Sequence, residues 1–125
     1  MKRSVFLGIV ALLSLIFGIA LCIRSVHMMF MFDLGLDPSG VFMARMLGIT
    51  MIALAATFWI GRKSPDSPAM SGILWGGLIQ NLFFALFFFR MMHMAWMSSK
   101  AWGPVILHLL LALGFATYVF RKKPV

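Results

Sequence analysis

Val5-Phe-Leu-Gly-Ile-Val-Ala-Leu-Leu-Ser-Leu-Ile-Phe-Gly-Ile-Ala-Leu-Cys-Ile23 runs nineteen residues without a charge, and its length decides the fold class. A helix needs about 20 mostly apolar residues to cross ~30 Å of hydrocarbon. With its flanks, the stretch predicts a first helix from about Ser4 to Phe32, apolar except for Arg24 and His27. Asp33-Leu-Gly-Leu-Asp-Pro-Ser-Gly40 reads as a turn, because Pro38 and Gly40 punctuate it. A second helix is expected over about 41–60, a third over 69–97 and a fourth over 105–120. Gly61-Arg-Lys-Ser-Pro-Asp-Ser-Pro68 and Ser98-Ser-Lys-Ala-Trp-Gly-Pro104 separate them. Pro104 suits the first turn of the last helix.

The whole chain supports this reading. Its 125 residues are 62% hydrophobic and only 11% charged, with a mean hydropathy of +1.01. A soluble domain of this size must cover a large surface with polar groups, since small proteins bury the smaller share of their area. Eleven Lys/Arg and three Asp/Glu are too few to do so. The expected fold is an all-α membrane protein, a single four-transmembrane-helix bundle whose solvent is the lipid bilayer.

The net charge of +8 invites a nucleic-acid partner, but the positions of the basic residues exclude one. No basic run exceeds Arg121-Lys-Lys123, and the cations sit at the edges of apolar blocks. Lys2 and Arg3, Arg62 and Lys63, and Arg121 to Lys123 fall on one side of the four spans. The positive-inside rule makes that side cytoplasmic, with both termini, in a bacterial-type inner membrane. Trp59 and Trp75 then mark one interface, and Trp96 and Trp102 the other. Lys2-Arg3 before an apolar stretch resembles a signal peptide, but no small-x-small cleavage site follows, so the segment is expected to stay as an anchor. The single cysteine, Cys22, has no internal partner for a disulfide.

Helices one and three carry the same ending. Arg24-Ser-Val-His27-Met28-Met-Phe-Met31 and Arg90-Met-Met-His93-Met94-Ala-Trp-Met97 share R-x-x-H-M-x-x-M at an offset of 66 residues. At that offset Pro38 also matches Pro104, Leu47 matches Leu113, and Gly48 matches Gly114. A duplication would give two tandem helical hairpins in parallel orientation; chance in a biased composition is the alternative.

Positions i, i+3, i+4 and i+7 share a helical face, so each copy aligns an arginine, a histidine and two methionines. His108 falls at a similar depth in helix four, and nine of the twelve methionines lie in the same outer half. Imidazole and thioether suit Cu(I), and paired imidazoles can ligate haem iron. One reading is therefore a copper or haem site on His27, His93 and His108 with Met28, Met31, Met94 and Met97. The plainer one, preferred on the residue types, is interfacial packing by flexible Met and amphipathic His.

Arg24, Arg45 and Arg90 lie in helical stretches near the outer interface. Snorkelling, with pairing to Asp33 and Asp37, accounts for them more simply than an anion or quinone-headgroup pocket. Gln80 and Asn81 are amides at mid-depth, where such groups bond across to another helix, and Gly72 and Gly76 form the G-x-x-x-G pattern of close helix contact. No carboxylate lies inside a span, which argues against a proton-coupled exporter. No nucleotide loop, C-x-x-C pair or Ser/His/Asp set is present, so an enzyme is not expected.

Ala44-Arg-Met-Leu-Gly-Ile-Thr-Met-Ile-Ala-Leu-Ala-Ala-Thr-Phe-Trp59 resembles the second helix of DoxX-like small four-helix membrane proteins. Those often show an A-R-x-L-G opening and a terminal aromatic before a basic loop. The resemblance covers these sixteen residues and the overall layout. It implies the fold and no particular activity, and the R-x-x-H-M-x-x-M stripes belong to no pattern of that group. The functional expectation is an accessory or assembly subunit that contacts other membrane protein subunits or itself. An outer-face copper or haem binder and a small facilitator are the alternatives.

Overall fold

The computed structural model describes residues 1–121 and contains four long helices joined by short connections. The expected cytoplasmic charges Lys122 and Lys123 lie outside the described residues. α1 is Arg3–Phe30, α2 Pro38–Gly61, α3 Pro68–His93 and α4 Trp102–Val119, the last preceded by a 3-10 turn at Ser99–Ala101. Each of the four spans is long and apolar enough to cross a membrane. α4 at 18 residues is the shortest, about 27 Å at 1.5 Å per residue.

Two helices start with the same device. The Asp37 side chain accepts a hydrogen bond from Gly40 N at 2.6 Å, with Pro38 as the first helical residue of α2. Ser67 accepts from Met70 N at 3.1 Å, with Pro68 opening α3. A polar N-cap followed by proline satisfies one free amide and removes another. For this reason α2 begins at Pro38 rather than at 41: the cap recruits the expected turn residues into the helix. α4 likewise begins at Trp102, which leaves Pro104 in its first turn.

α1 and α3 also stop alike. Leu34 N–H bonds Met29 O at 3.1 Å and Asp33 N–H bonds Phe30 O at 3.0 Å, with Asp33 left-handed at φ 59. Trp96 N–H bonds Met91 O at 3.0 Å and Ala95 N–H bonds Met92 O at 3.0 Å, with Ala95 at φ 58. Both are Schellman closures. The second corrects the expected end of helix three, which is His93 and not Met97. It also places an alanine where a β-carbon is disfavoured by about 1–2 kcal/mol.

The helices pair as two hairpins, α1 with α2 and α3 with α4. α1 and α2 cross at two glycines. A β-carbon on Gly18 would lie 2.8 Å from Gly48 O, and one on Gly48 would lie 2.7 Å from Gly18 O.

The hairpins share a core near one end of the molecule, the end that carries Lys2, Arg3, Arg62, Lys63 and Arg121 (the basic end). Phe6, Leu7 and Val10 of α1 meet Phe58 of α2, Leu74 and Leu78 of α3, and Phe115 of α4. Phe6 and Phe115 pack edge to face with centroids 4.9 Å apart, and Phe58 lies 5.6 Å from Phe115. Two of these three rings rest on glycines. A β-carbon on Gly77 would sit 2.3 Å from the Phe115 ring, and one on Gly114 would sit 2.3 Å from the Phe6 ring. The basic end is closed further by an Arg3–Asp66 ion pair, by Arg3 Nη2 donating to Ser64 O at 2.6 Å, and by Tyr118 donating to Met1 O at 2.8 Å.

At the opposite end, which carries the histidines, the hairpins touch through their connections. Ser98 N–H donates to Phe32 O at 3.1 Å, and Lys100 Nζ stands 3.5 Å from Asp33 Oδ1. Met97, Ala101 and Val105 are buried there, outside the main core. The outward surface is strongly apolar: Ile23, Phe83, Leu110 and Leu113 are each more than 60% exposed. A surface of that kind is compatible with a multi-pass membrane protein.

Candidate functional site

The repeated stripe does not survive as two equal copies. In the first, α1 is kinked at Arg24, whose φ of −130 and ψ of 39 are not helical, and the helix then continues to Phe30. In the second, the Ala95 closure ends α3 at His93, so Met94 to Met97 leave the helix. Met97 therefore points away from any α3 stripe and is buried, while Met28 is half-buried and Met31 and Met94 are exposed.

The histidines separate in the same way. His27 is exposed; His93 is exposed and stacks on Phe89 with centroids 6.5 Å apart. Among the described residues no group of three His, Cys, Asp or Glu is placed to hold a metal ion. His93 is the last residue of α3 and His108 lies in α4 of the same hairpin, bonded to Asn81, whereas His27 belongs to the first hairpin.

Arg24, Arg45 and Arg90 are all exposed. The expected pairing with Asp33 and Asp37 is not what forms. Asp33 faces Lys100, and Asp37 is occupied as the cap of α2. Short loops hold both carboxylates close to their own backbone turns, out of the arginines' way.

His108 and Asn81 form the one side-chain hydrogen bond between spans α3 and α4 among the described residues, at 2.8 Å. Asn81 is 5% exposed, and its Nδ2 donates to Gly77 O at 2.8 Å. A carbonyl only accepts, so the Asn81 amide orientation is fixed and its Oδ1 must accept from His108 Nδ1–H. Nε2 of the neutral ring then keeps its lone pair. Phe84 and Phe88 flank the imidazole at 5.1 and 5.9 Å. Replacing Asn81 and His108 by alanine, singly and together, is expected to give a coupling energy of about 0.5–2 kcal/mol in sodium dodecyl sulfate unfolding from dodecyl maltoside. Strict additivity would show that the bond contributes nothing.

Gln80, next in sequence, points elsewhere. It shares one face of α3 with Gly72, Gly76, Phe83 and Phe87, at helical spacing. No heavy atom beyond the local helix lies within 4 Å of a β-carbon built on Gly72 or Gly76. Among the described residues these two glycines therefore face no other helix, unlike Gly18, Gly48, Gly77 and Gly114, which each do. Gln80 lines a groove of about 360 Å³ with Phe83, Phe84 and Phe87, and its amide has no hydrogen-bond partner among the described residues. This unpartnered face is the candidate interaction site.

Sequence reasoning missed a second feature, a cavity at the basic end. Arg3, Arg62, Lys63 and Arg121 line it, and in the sequence each carries only a topology signal. Their separation along the chain, from residue 3 to residue 121, left no local pattern to find.

Comparison with family models, with curated proteins and with solved structures gives no match.

Proposed function

We propose that this chain is an accessory or assembly subunit of a larger membrane complex, seated in a bacterial-type cytoplasmic membrane with its basic end inside. The observation that carries this reading is the open face of α3, where Gly72 and Gly76 meet nothing and Gln80 lacks a partner. Between helices in lipid there is little hydrophobic drive. Small residues that admit a second backbone, and amides that bond across, supply the contact instead. An amide left unpaired in hydrocarbon is costly, so a docking helix gains by satisfying it.

Charge points to a different protein rather than a second copy. The chain has a net charge of +8 and only three carboxylates. Asp33 faces Lys100, Asp66 pairs with Arg3, and Asp37 caps α2. Beyond snorkelling, Arg24, Arg45 and Arg90 would gain from acidic groups, and another copy of this chain has no carboxylate to spare for them. The occupant is a transmembrane helix of a subunit with acidic residues at the histidine-end interface.

A photo-crosslinker at Gly76, in native membranes without dodecyl sulfate, should yield one discrete hetero-adduct. Gly72→Leu should reduce that adduct about tenfold, whereas Leu110→Ala on the exposed face of α4 should leave it intact. A lone monomer in mild detergent, a homodimer, or an adduct indifferent to Gly72→Leu would overturn the reading.

A further inference from the structure

The basic end holds a cavity of about 790 Å³, within the ordinary range of small-molecule sites. Arg3, Arg62, Lys63 and Arg121 line it against one carboxylate, Asp66. Four cations against that single anion leave three positive charges around a half-open cavity. Topology signals need only reach cytoplasmic water; these side chains converge.

Two of the guanidiniums are held in place. Arg3 is tied to Asp66 and to Ser64 O, and its side chain is only 23% exposed. Arg62 lies flat on Trp59, its central carbon 3.2 Å from the ring centroid. Its Nη1 is buried and has no hydrogen-bond partner among the described residues. An arginine ordered this way is poorly solvated and under-bonded, so its remaining donors bind an anion at little further entropic cost. Ser67 and Ser71 add hydroxyls at the start of α3, where the helix dipole also favours negative charge. Met70, Leu74 and Val119 add an apolar part to the wall.

We infer that this cavity binds a phosphate group. Planar guanidinium forks with a nearby ammonium match phosphate oxygens. The apolar wall lets the phosphate arrive either on an anionic phospholipid or on a free phosphate ester.

The full chain, purified in dodecyl maltoside, can be titrated with phosphatidylglycerol, with phosphatidylcholine, and with glycerol phosphate, and read by native mass spectrometry. Retention of phosphatidylglycerol far above phosphatidylcholine, with glycerol phosphate weak, assigns the site to a lipid headgroup. Saturable glycerol phosphate binding at least as tight as the lipid assigns it to a soluble ester. In either case Arg62→Gln and Arg121→Gln should each weaken binding about tenfold, and Lys100→Gln at the far end should not. Binding should also fall as salt rises from 0.05 to 0.5 M, roughly threefold in Debye length. If Arg62→Gln loses helicity, Arg121→Gln decides, because Arg121 is exposed and lies outside α4, which ends at Val119. No selectivity for either phosphate probe over phosphatidylcholine, or unchanged binding in both arginine variants, would overturn the proposal.

Discussion

Phe115→Ala is expected to cost about 2–4 kcal/mol of unfolding free energy, the largest single-residue loss in the molecule. Phe115 is fully buried, packs against Phe6 and Phe58, and seats its ring on Gly77. In lipid the usual transfer term nearly cancels, because a separated helix exposes the ring to hydrocarbon rather than to water. What remains is the void, about 24 cal/mol per Å³, and the lost ring contacts. Dodecyl sulfate titration followed by circular dichroism measures the change. Leu113→Ala, two residues away and 64% exposed, is expected to stay within about 0.5 kcal/mol. Equal losses at the two positions would show that the shared aromatic core does not hold the hairpins together.

Gly48→Ala comes second, at about 2–3 kcal/mol. Its new methyl would meet Gly18 O at 2.7 Å and Cys22 Sγ at 2.8 Å, and two backbones cannot give way as a side chain can. Gly18→Ala should cost a similar amount, through Gly48 O at 2.8 Å. The double variant should cost clearly less than the sum, because one widening of the α1–α2 crossing accommodates both methyls. Gly72→Ala, facing open space, should be neutral or slightly stabilising in the isolated chain, since alanine favours helix over glycine by about 1 kcal/mol. Additive losses at Gly18 and Gly48 would mean that the two sites are strained separately.

The four spans were legible because nothing but length and apolarity is needed to specify them. The end of α3 was not. A left-handed closure is normally announced by glycine or asparagine, and Ala95 announces nothing. That one residue ends the helix of the second R-x-x-H-M-x-x-M copy at His93, so the two copies differ in structure. The glycines show a similar limit. Gly72, Gly76 and Gly77 are alike as letters, yet Gly77 lies beneath Phe115 and the other two lie open. Which face of a uniformly apolar helix turns inward is decided by partners distant in sequence, and α3 carries little periodic signal to reveal it. Asn81 and Gln80 were both expected to bond another helix. Asn81 reaches His108, while Gln80 faces outward, one residue and roughly 100° further round. The cavity at the basic end depends on residues from both hairpins and both termini of the described chain, so no window of sequence displays it.

The seat of Phe6 on Gly114 has a consequence for the order of assembly. Phe6 is in α1 and Gly114 in α4, so the contact waits until all four helices have been made. The glycine crossing of α1 and α2 needs no later residue and can close as soon as Gly61 has been made. At about 5–20 residues per second, the first hairpin spends roughly 3–12 s without its mate. During that time its Phe6, Leu7 and Val10 surface is available to lipid or to any neighbouring helix. The last helix therefore acts as a clasp, and a nascent chain halted before it would be the form most prone to wrong pairing.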